Sequence, residues 1–295
     1  MISATIDKHV YITCKSLPNF FNLKYRIIYS KIENVNNISE IKHSAVRNAL
    51  KYSNIKDGLE LHYHGDLPAR SGMGSSSSFL VGLLNLLSRY KNKEISKQKL
   101  AKDSINFEQK ILRENVGSQD QIAASYGGFN SIKFLQNNTF KVKSIKSEKN
   151  FLNKLTNNLV LVYTGINRTA QHIAKSYSGN LISKKKNIIT ILEYVKEAKK
   201  IIEDQRLKDF GLLLHETWCE KKELSTKISN TEIDYLYNYG LKNGALGGKL
   251  LGAGGGGFLL FFVETDKKKF FIKKMKNFTT LPVKFSNKGS EIILR

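Results

Sequence analysis

Two cysteines, Cys14 and Cys219, are all the chain has. Neither sits in a CxxC pair, so the sequence supports neither a disulfide framework nor a cysteine zinc site. Three prolines leave no proline-rich linker. No apolar run approaches the roughly 18–20 residues of a membrane span, and Asp7 and Lys8 interrupt any signal-peptide core. The expectation is a globular protein of the cytoplasm without a membrane partner. Acidic residues are scarce as well, 25 against 48 basic ones, which leaves a net charge of +23.

That imbalance invites nucleic acid, but the pattern argues otherwise. The basic residues are mostly lysines, spread with asparagine and isoleucine over the whole length. The clusters Lys184-Lys185-Lys186 and Lys267-Lys268-Lys269 fall in segments that read as helices, where a solvated face explains them. No stacking-aromatic or zinc-finger pattern accompanies them. Nucleic acid is not an expected partner, and a basic surface suits acidic metabolites equally well.

Periodicity gives a mixed α and β chain. Residues 2–14 alternate loosely as one strand, with 24–30 as its partner; a helix covers about 40–52 and a short strand 59–64. Helices follow at 77–90 and from Ser96 to about 112, then strands at 129–134 and 139–145. The asparagine- and lysine-rich segment 148–158 reads as a boundary, which divides the chain into 1–157 and 158–295. From 159 the order is strand, helices (169–178, 182–204, 206–217, 231–242), strand (248–251), strand (258–263), helix (266–277) and strand (281–286). That order fits a split β-α-β sandwich.

The most informative stretch is Asp66-Leu-Pro-Ala-Arg-Ser-Gly-Met-Gly-Ser-Ser-Ser-Ser78, which runs into the apolar Phe79–Leu87. Gly72 and Gly74 permit a tight bend, and Ser75–Ser78 stand where a helix begins, with unpaired N–H groups that hold anions. An N-cap with a flexible turn uses the same residues, so a phosphate cradle and a plain turn stand side by side. It is not a Walker A loop: near Gly248-Lys249-Leu250 both the earlier glycine and the Ser/Thr after lysine are missing.

Gly252-Ala-Gly-Gly-Gly-Gly257 has dinucleotide-binding spacing, but a strand rather than a helix follows, so it reads as a glycine-lined hairpin. Glu108 and Asp120 flank Asn115-Val-Gly-Ser-Gln-Asp120. One carboxylate for a magnesium ion and one beside an acceptor hydroxyl suffice for phosphoryl transfer. A helix cap at Asp120 and a solvated partner for Lys102 or Arg113 at Glu108 are the plainer alternatives. Tyr163-Thr-Gly-Ile-Asn-Arg168 places a rare arginine just past a buried strand, where it can grip an anion. His62 and His64 share a strand face and, lacking a third ligand, read as ordinary strand residues.

Together these segments resemble the GHMP kinases. The Pro-x-x-x-Gly-Leu-Gly-Ser-Ser motif is similar to Pro68–Ser76, with Met73 for leucine, and the C-terminal Gly-Ala-Gly-Gly-Gly element to Leu251–Gly257. Ile2-Ser-Ala-Thr-Ile-Asp7, Gly117-Ser-Gln-Asp-Gln121 with Tyr126–Asn130, and Tyr163–Arg168 resemble the D-glycero-D-manno-heptose 7-phosphate kinases within that superfamily. The resemblance implies an α+β, two-domain fold, with a left-handed β-α-β N-terminal domain and a ferredoxin-like C-terminal domain. It implies ATP and Mg²⁺ as cofactors and a sugar phosphate as acceptor; a homodimer is left open.

By the same resemblance Pro68, Ser71, Gly72, Met73, Gly74, Ser75, Ser76, Ser77, Ser78, Gly254 and Gly255 contact ATP, and Ser76 and Glu108 hold the metal. Asp120 is the catalytic residue, and Thr5, Asp120, Gly165, Arg168 and Gly254 bind the acceptor. Other acceptors of the superfamily (fucose, galactose, mevalonate) stay open. Family members carry a strand and a Gly-Gly-Gly-Thr-Asp-type loop ahead of the segment with which this chain begins. Lacking these, the chain is expected to leave an unpaired sheet edge and to bind sugar less well, or to be a non-catalytic remnant. Arg70 stands where the family has glycine, either crowding the loop or adding a phosphate contact.

Overall fold

The computed structural model describes residues 1–167, 173, 174, 176 and 182–294. In chain order the strands are β1 (Ile2–Ile6), β2 (Val10–Ser16), β3 (Tyr25–Ile28), β4 (Ile32–Val35), β5 (Leu59–Gly65), β6 (Phe129–Phe134), β7 (Phe140–Ser144), β8 (Leu159–Tyr163), β9 (Ala245–Leu250), β10 (Phe258–Val263), β11 (Thr280–Pro282) and β12 (Phe285–Ser286). The helices are α1 (Ser44–Tyr52), α2 (Ser75–Tyr90), α3 (Lys97–Asn106), α4 (Gln119–Tyr126), α5 (Lys149–Asn157), α6 (Lys185–Glu203), α7 (Leu207–Lys222), α8 (Thr231–Lys242) and α9 (Thr265–Lys274).

Two compact units share the chain. The smaller comprises Lys8–Ala69, Gly74–Gly127 and Lys288–Arg295; the larger comprises Met1–Asp7, Arg70–Met73 and Gly128–Asn287. This packing differs from a single cut between 157 and 158. The reason is pairing: β1 lies between β6 and β12, so the first strand is fastened to the last. In that sheet β1 has a neighbour on each side.

The smaller unit carries a sheet in the order β2-β5-β3-β4. β3 and β5 run parallel, so α1 lies in the connection between two parallel strands, a β-α-β unit. Val46, Ala49 and Leu50 put the apolar stripe of α1 into the core. From α2, Phe79, Leu80, Leu83, Leu84 and Leu87 join the same core, repeating with the helical period. Burying each such leucine contributes about 1.5–3 kcal/mol. That anchorage fixes where the first turn of α2 stands.

In the larger unit a second sheet runs β11-β8-β10-β9, antiparallel throughout. By order of appearance this is 4-1-3-2, with α6–α8 between its first two strands and α9 between its last two. That is the ferredoxin-like arrangement. Val160, Val162, Leu259 and Phe261 meet Trp218, Ile233, Leu236 and Phe271 in its core.

Several local expectations need correcting. Residues 2–14 form two strands in different sheets rather than one, broken at Asp7–His9. β3 pairs with β4 and β5, not with the N-terminal strand. The polar segment read as a boundary contains α5, whose Phe151 and Leu155 are buried one helical turn apart, while its lysines and asparagines occupy the other faces. Most of the helix expected at 169–178 lies outside the described residues.

Thr5 shows how β1 is held. Its hydroxyl donates to the Ser286 carbonyl at 2.7 Å and accepts from the Gly128 N–H at 2.7 Å. The side chain expected to meet a sugar has its only proton committed to backbone. Thr5→Val is expected to lower stability by about 1–3 kcal/mol, because it strands a peptide donor and an acceptor. Denaturant unfolding with an unchanged slope would report it; an unchanged midpoint would refute it.

Candidate active site

In the smaller unit the site is built on the N-terminus of α2. Its N-cap, Gly74, is left-handed (φ 72°), and no side chain caps the helix. The first-turn N–H groups are thus left for another acceptor, and the positive end of the helix favours an anion there. A Cβ placed on Gly74 would lie 3.2 Å from Asp120 Cγ. Both the left-handed backbone and this close approach favour glycine.

Asp120 stands in the first turn of α4. It lies against the serine bend, although it stands 46 positions beyond Gly74 in the sequence (120 − 74). Burial raises its carboxyl above the ordinary aspartate value, against a hydrogen bond from Gln119.

Glu108 is 1% exposed, which excludes the solvated ion pair that the sequence left open. It belongs to a π-helical turn, Phe107–Ile111, that extends α3; such turns recur at functional sites. Both carboxylate oxygens accept from Ser77 Oγ at 3.1 Å, and Oε2 also accepts from Gln121 Nε2. The hydroxyl that meets Glu108 is thus that of Ser77, which is buried, whereas Ser76 is exposed. Burial pushes the Glu108 carboxyl up to about 7; Gln121 and Ser77 oppose the shift, and Glu114 and Asp120 add to it.

Gln121 is the residue that sequence reasoning missed. It is fully buried, and its Oε1 has no hydrogen-bond partner. The available signal was an amide beside Asp120 in a short helix. A buried carboxylate, a hydroxyl and an orphaned amide oxygen are hard donors suited to Mg²⁺, which takes one or two carboxylates together with phosphate oxygens. The residues present fit that ion.

The larger unit holds most of the other predicted residues. Gly72 and Gly252 pack backbone to backbone: a Cβ on Gly252 would lie 2.7 Å from Gly72 Cα. The Gly252–Gly257 segment joins antiparallel β9 and β10, as the hairpin reading expected. Its frame is fastened by Gly255 N–H to Ile228 O at 2.7 Å and Gly257 N–H to Thr164 Oγ1 at 3.0 Å. Lys221 Nζ donates to the carbonyls of Leu250 and Gly252 at 3.2 and 2.6 Å.

Gly254 packs on Ile228, while Gly165 has open space where a Cβ would stand. Ser71 is buried with its hydroxyl unpartnered. Met73 is half-buried, and Pro68, in the smaller unit, is exposed. Arg70 has φ 62°, the left-handed region that glycine occupies without cost. Arg168 lies outside the described residues.

Family models for the GHMP kinases N terminal domain and the GHMP kinases C terminal match residues 39–128 and 192–279. The chain belongs to the GHMP kinases. D-glycero-alpha-D-manno-heptose 7-phosphate kinase of Campylobacter jejuni is 34% identical over 199 residues, 66% of this chain and 58% of that protein. Less than two thirds of that relative's length is therefore matched. Mevalonate kinase of Methanocaldococcus jannaschii is 29% identical over 246 residues, 80% of this chain and 73% of that one. A D-glycero-D-manno-heptose 1-phosphate kinase of Bacteroides thetaiotaomicron superposes with a TM-score of 0.76 at 21% identity, over 98% of this chain and 88% of that chain. At that identity it speaks to the fold alone, the two-domain fold of the family. Among the described residues no helix is long and apolar enough to cross a membrane.

A carboxyl raised on folding contributes stability that is complete below its unfolded value and lost as pH rises through the folded one. For Glu108 that window runs from about 4.5 to about 7 and is worth on the order of 3 kcal/mol. Without metal or nucleotide, the thermal midpoint should fall between pH 5 and 8, and Glu108→Gln should remove much of that slope. Identical slopes in parent and variant would contradict the assignment.

Proposed function

We propose that this chain is an ATP-dependent sugar-phosphate kinase whose acceptor is the anomeric hydroxyl of D-glycero-D-manno-heptose 7-phosphate. Its product would feed the making of a nucleotide-activated heptose for surface polysaccharide. The observation that carries the reading is the Asp120 carboxylate against the uncapped start of α2. An anionic triphosphate is attracted to those N–H groups, while the carboxylate stands ready for the hydroxyl that attacks it.

Phosphoryl transfer asks little covalent chemistry of a protein; positioning and charge stabilisation do most of the work. Ser75–Ser78 and the first-turn amides of α2 would hold phosphate oxygens. Ser71, Gly72, Gly254 and Gly255 are proposed as further nucleotide contacts, and Gly165 and Arg168 as acceptor contacts. Asp120 would orient the acceptor hydroxyl and take its proton; a carboxyl raised by burial is the better base near neutral pH. Glu108, Ser77 and Gln121 would hold Mg²⁺, which when bound neutralises charge on the phosphates. The acceptor class is supported by the Campylobacter relative. A mevalonate acceptor is the second reading, supported by the longer match to the archaeal mevalonate kinase.

Coupled ATP turnover with heptose 7-phosphate, mevalonate, galactose and fucose tests both readings. Activity is expected with heptose 7-phosphate, and Asp120→Asn should lower kcat by about 10²–10⁴-fold while leaving the unfolding midpoint near the parent's. A fully active Asp120→Asn protein would remove Asp120 from the mechanism, and turnover confined to mevalonate would replace the acceptor.

A further inference from the structure

Outside this site the larger unit holds a second set of reactive side chains, on α7 and α8. His215 and Cys219 are one turn apart on α7, with Cys219 Sγ 3.7 Å from His215 Nε2. Cys219 is exposed. On its other side His215 Nδ1 lies 2.7 Å from the hydroxyl of Tyr237, which is 3% exposed. Tyr237 in turn donates to the Gly248 carbonyl at 3.2 Å.

These contacts couple the imidazole proton to the phenol. Burial, with Cys219 nearby, raises the Tyr237 phenol, so it stays neutral and has one proton to give. The phenol has two acceptors in reach, Gly248 O at 3.2 Å and His215 Nδ1 at 2.7 Å; when its proton goes to Gly248 O, the phenol oxygen accepts from His215. In that arrangement Nδ1 carries the imidazole hydrogen, and Nε2 faces the thiol with a free lone pair. The geometry is rigid. Gly247 brings β9 so close to α7 that a Cβ there would meet Gly211 O at 2.1 Å and His215 Cβ at 3.0 Å.

We propose that Cys219 is a thiol-modification site that attacks small disulfides, with His215 as its proton acceptor and Tyr237 fixing the histidine tautomer. As Cys219 Sγ bonds to one sulfur of the disulfide, its proton passes to His215 Nε2. The S–S bond breaks, the electron pair leaves on the other sulfur, and that thiolate takes up the proton. Cys219 is oxidised to a mixed disulfide and the released fragment is reduced to a thiol, so the disulfide is the only oxidant needed. This assignment does not depend on the kinase reading.

Cys14 provides an internal control. It is half-buried, and burial pushes its thiol up to about 12, which leaves it a poor nucleophile. Native protein treated with the chromogenic disulfide dithiobis-nitrobenzoate should release one fast equivalent per chain, lost in Cys219→Ser, with Cys14 reacting only after denaturation. His215→Gln should slow the fast phase by about tenfold or more, and Tyr237→Phe should slow it to a smaller extent. A folded His215→Gln protein that reacts at the parent rate would overturn the proposal. Should that variant not fold, the parent is compared with a peptide spanning residues 207–222. A parent about tenfold faster supports the proposal, and equal rates overturn it.

Discussion

Withdrawal of the Glu108 carboxylate from water is the constraint on which the site depends. An ionised carboxylate in an apolar surround is costly unless charge or hydrogen bonds compensate it. Here Ser77 and Gln121 supply hydrogen bonds, while Asp120 and Glu114 work against ionisation. The protein alone leaves that account unbalanced in favour of a proton. Two carboxyls are thus brought together in a chain carrying +23 overall.

Each part of that arrangement comes from a different element. α2 presents Ser77 because its leucines are anchored in the core one face away. The π-helical turn after α3 carries Glu108, and α4 delivers Asp120 and Gln121 from consecutive positions. α3 and α4 are short, so their placement depends on the shared core of the smaller unit rather than on intrinsic helicity.

Much of this was legible in the sequence because composition and periodicity agree there. The serine loop before an apolar helix, the glycine hairpin between apolar strands and the strand–helix order of the C-terminal half each have a local cause. What could not be read depends on partners distant along the chain. Nothing near Glu108 announces that it is buried, since Gln109, Lys110 and Arg113 surround it with polar residues. The exchange of Ser76 for Ser77 opposite it depends on the rotation of α2, which a motif does not specify. The split of residues 2–14 into two sheets is likewise invisible, because both halves have the same strand-like composition. Arg70 is the converse case: its backbone lies in the left-handed region, which glycine adopts without cost.

The pairing of β1 with β12 has a temporal side. Thr5 and Ser286 are neighbours in the sheet, yet they stand 281 positions apart in the sequence (286 − 5). During synthesis β1 precedes β12 by most of the sequence given, so one of its edges stays uncovered until β12 follows. The smaller unit, which needs nothing beyond residue 127 for its sheet and main core, can collapse long before that. Covering that edge then depends on how quickly β12 finds β1.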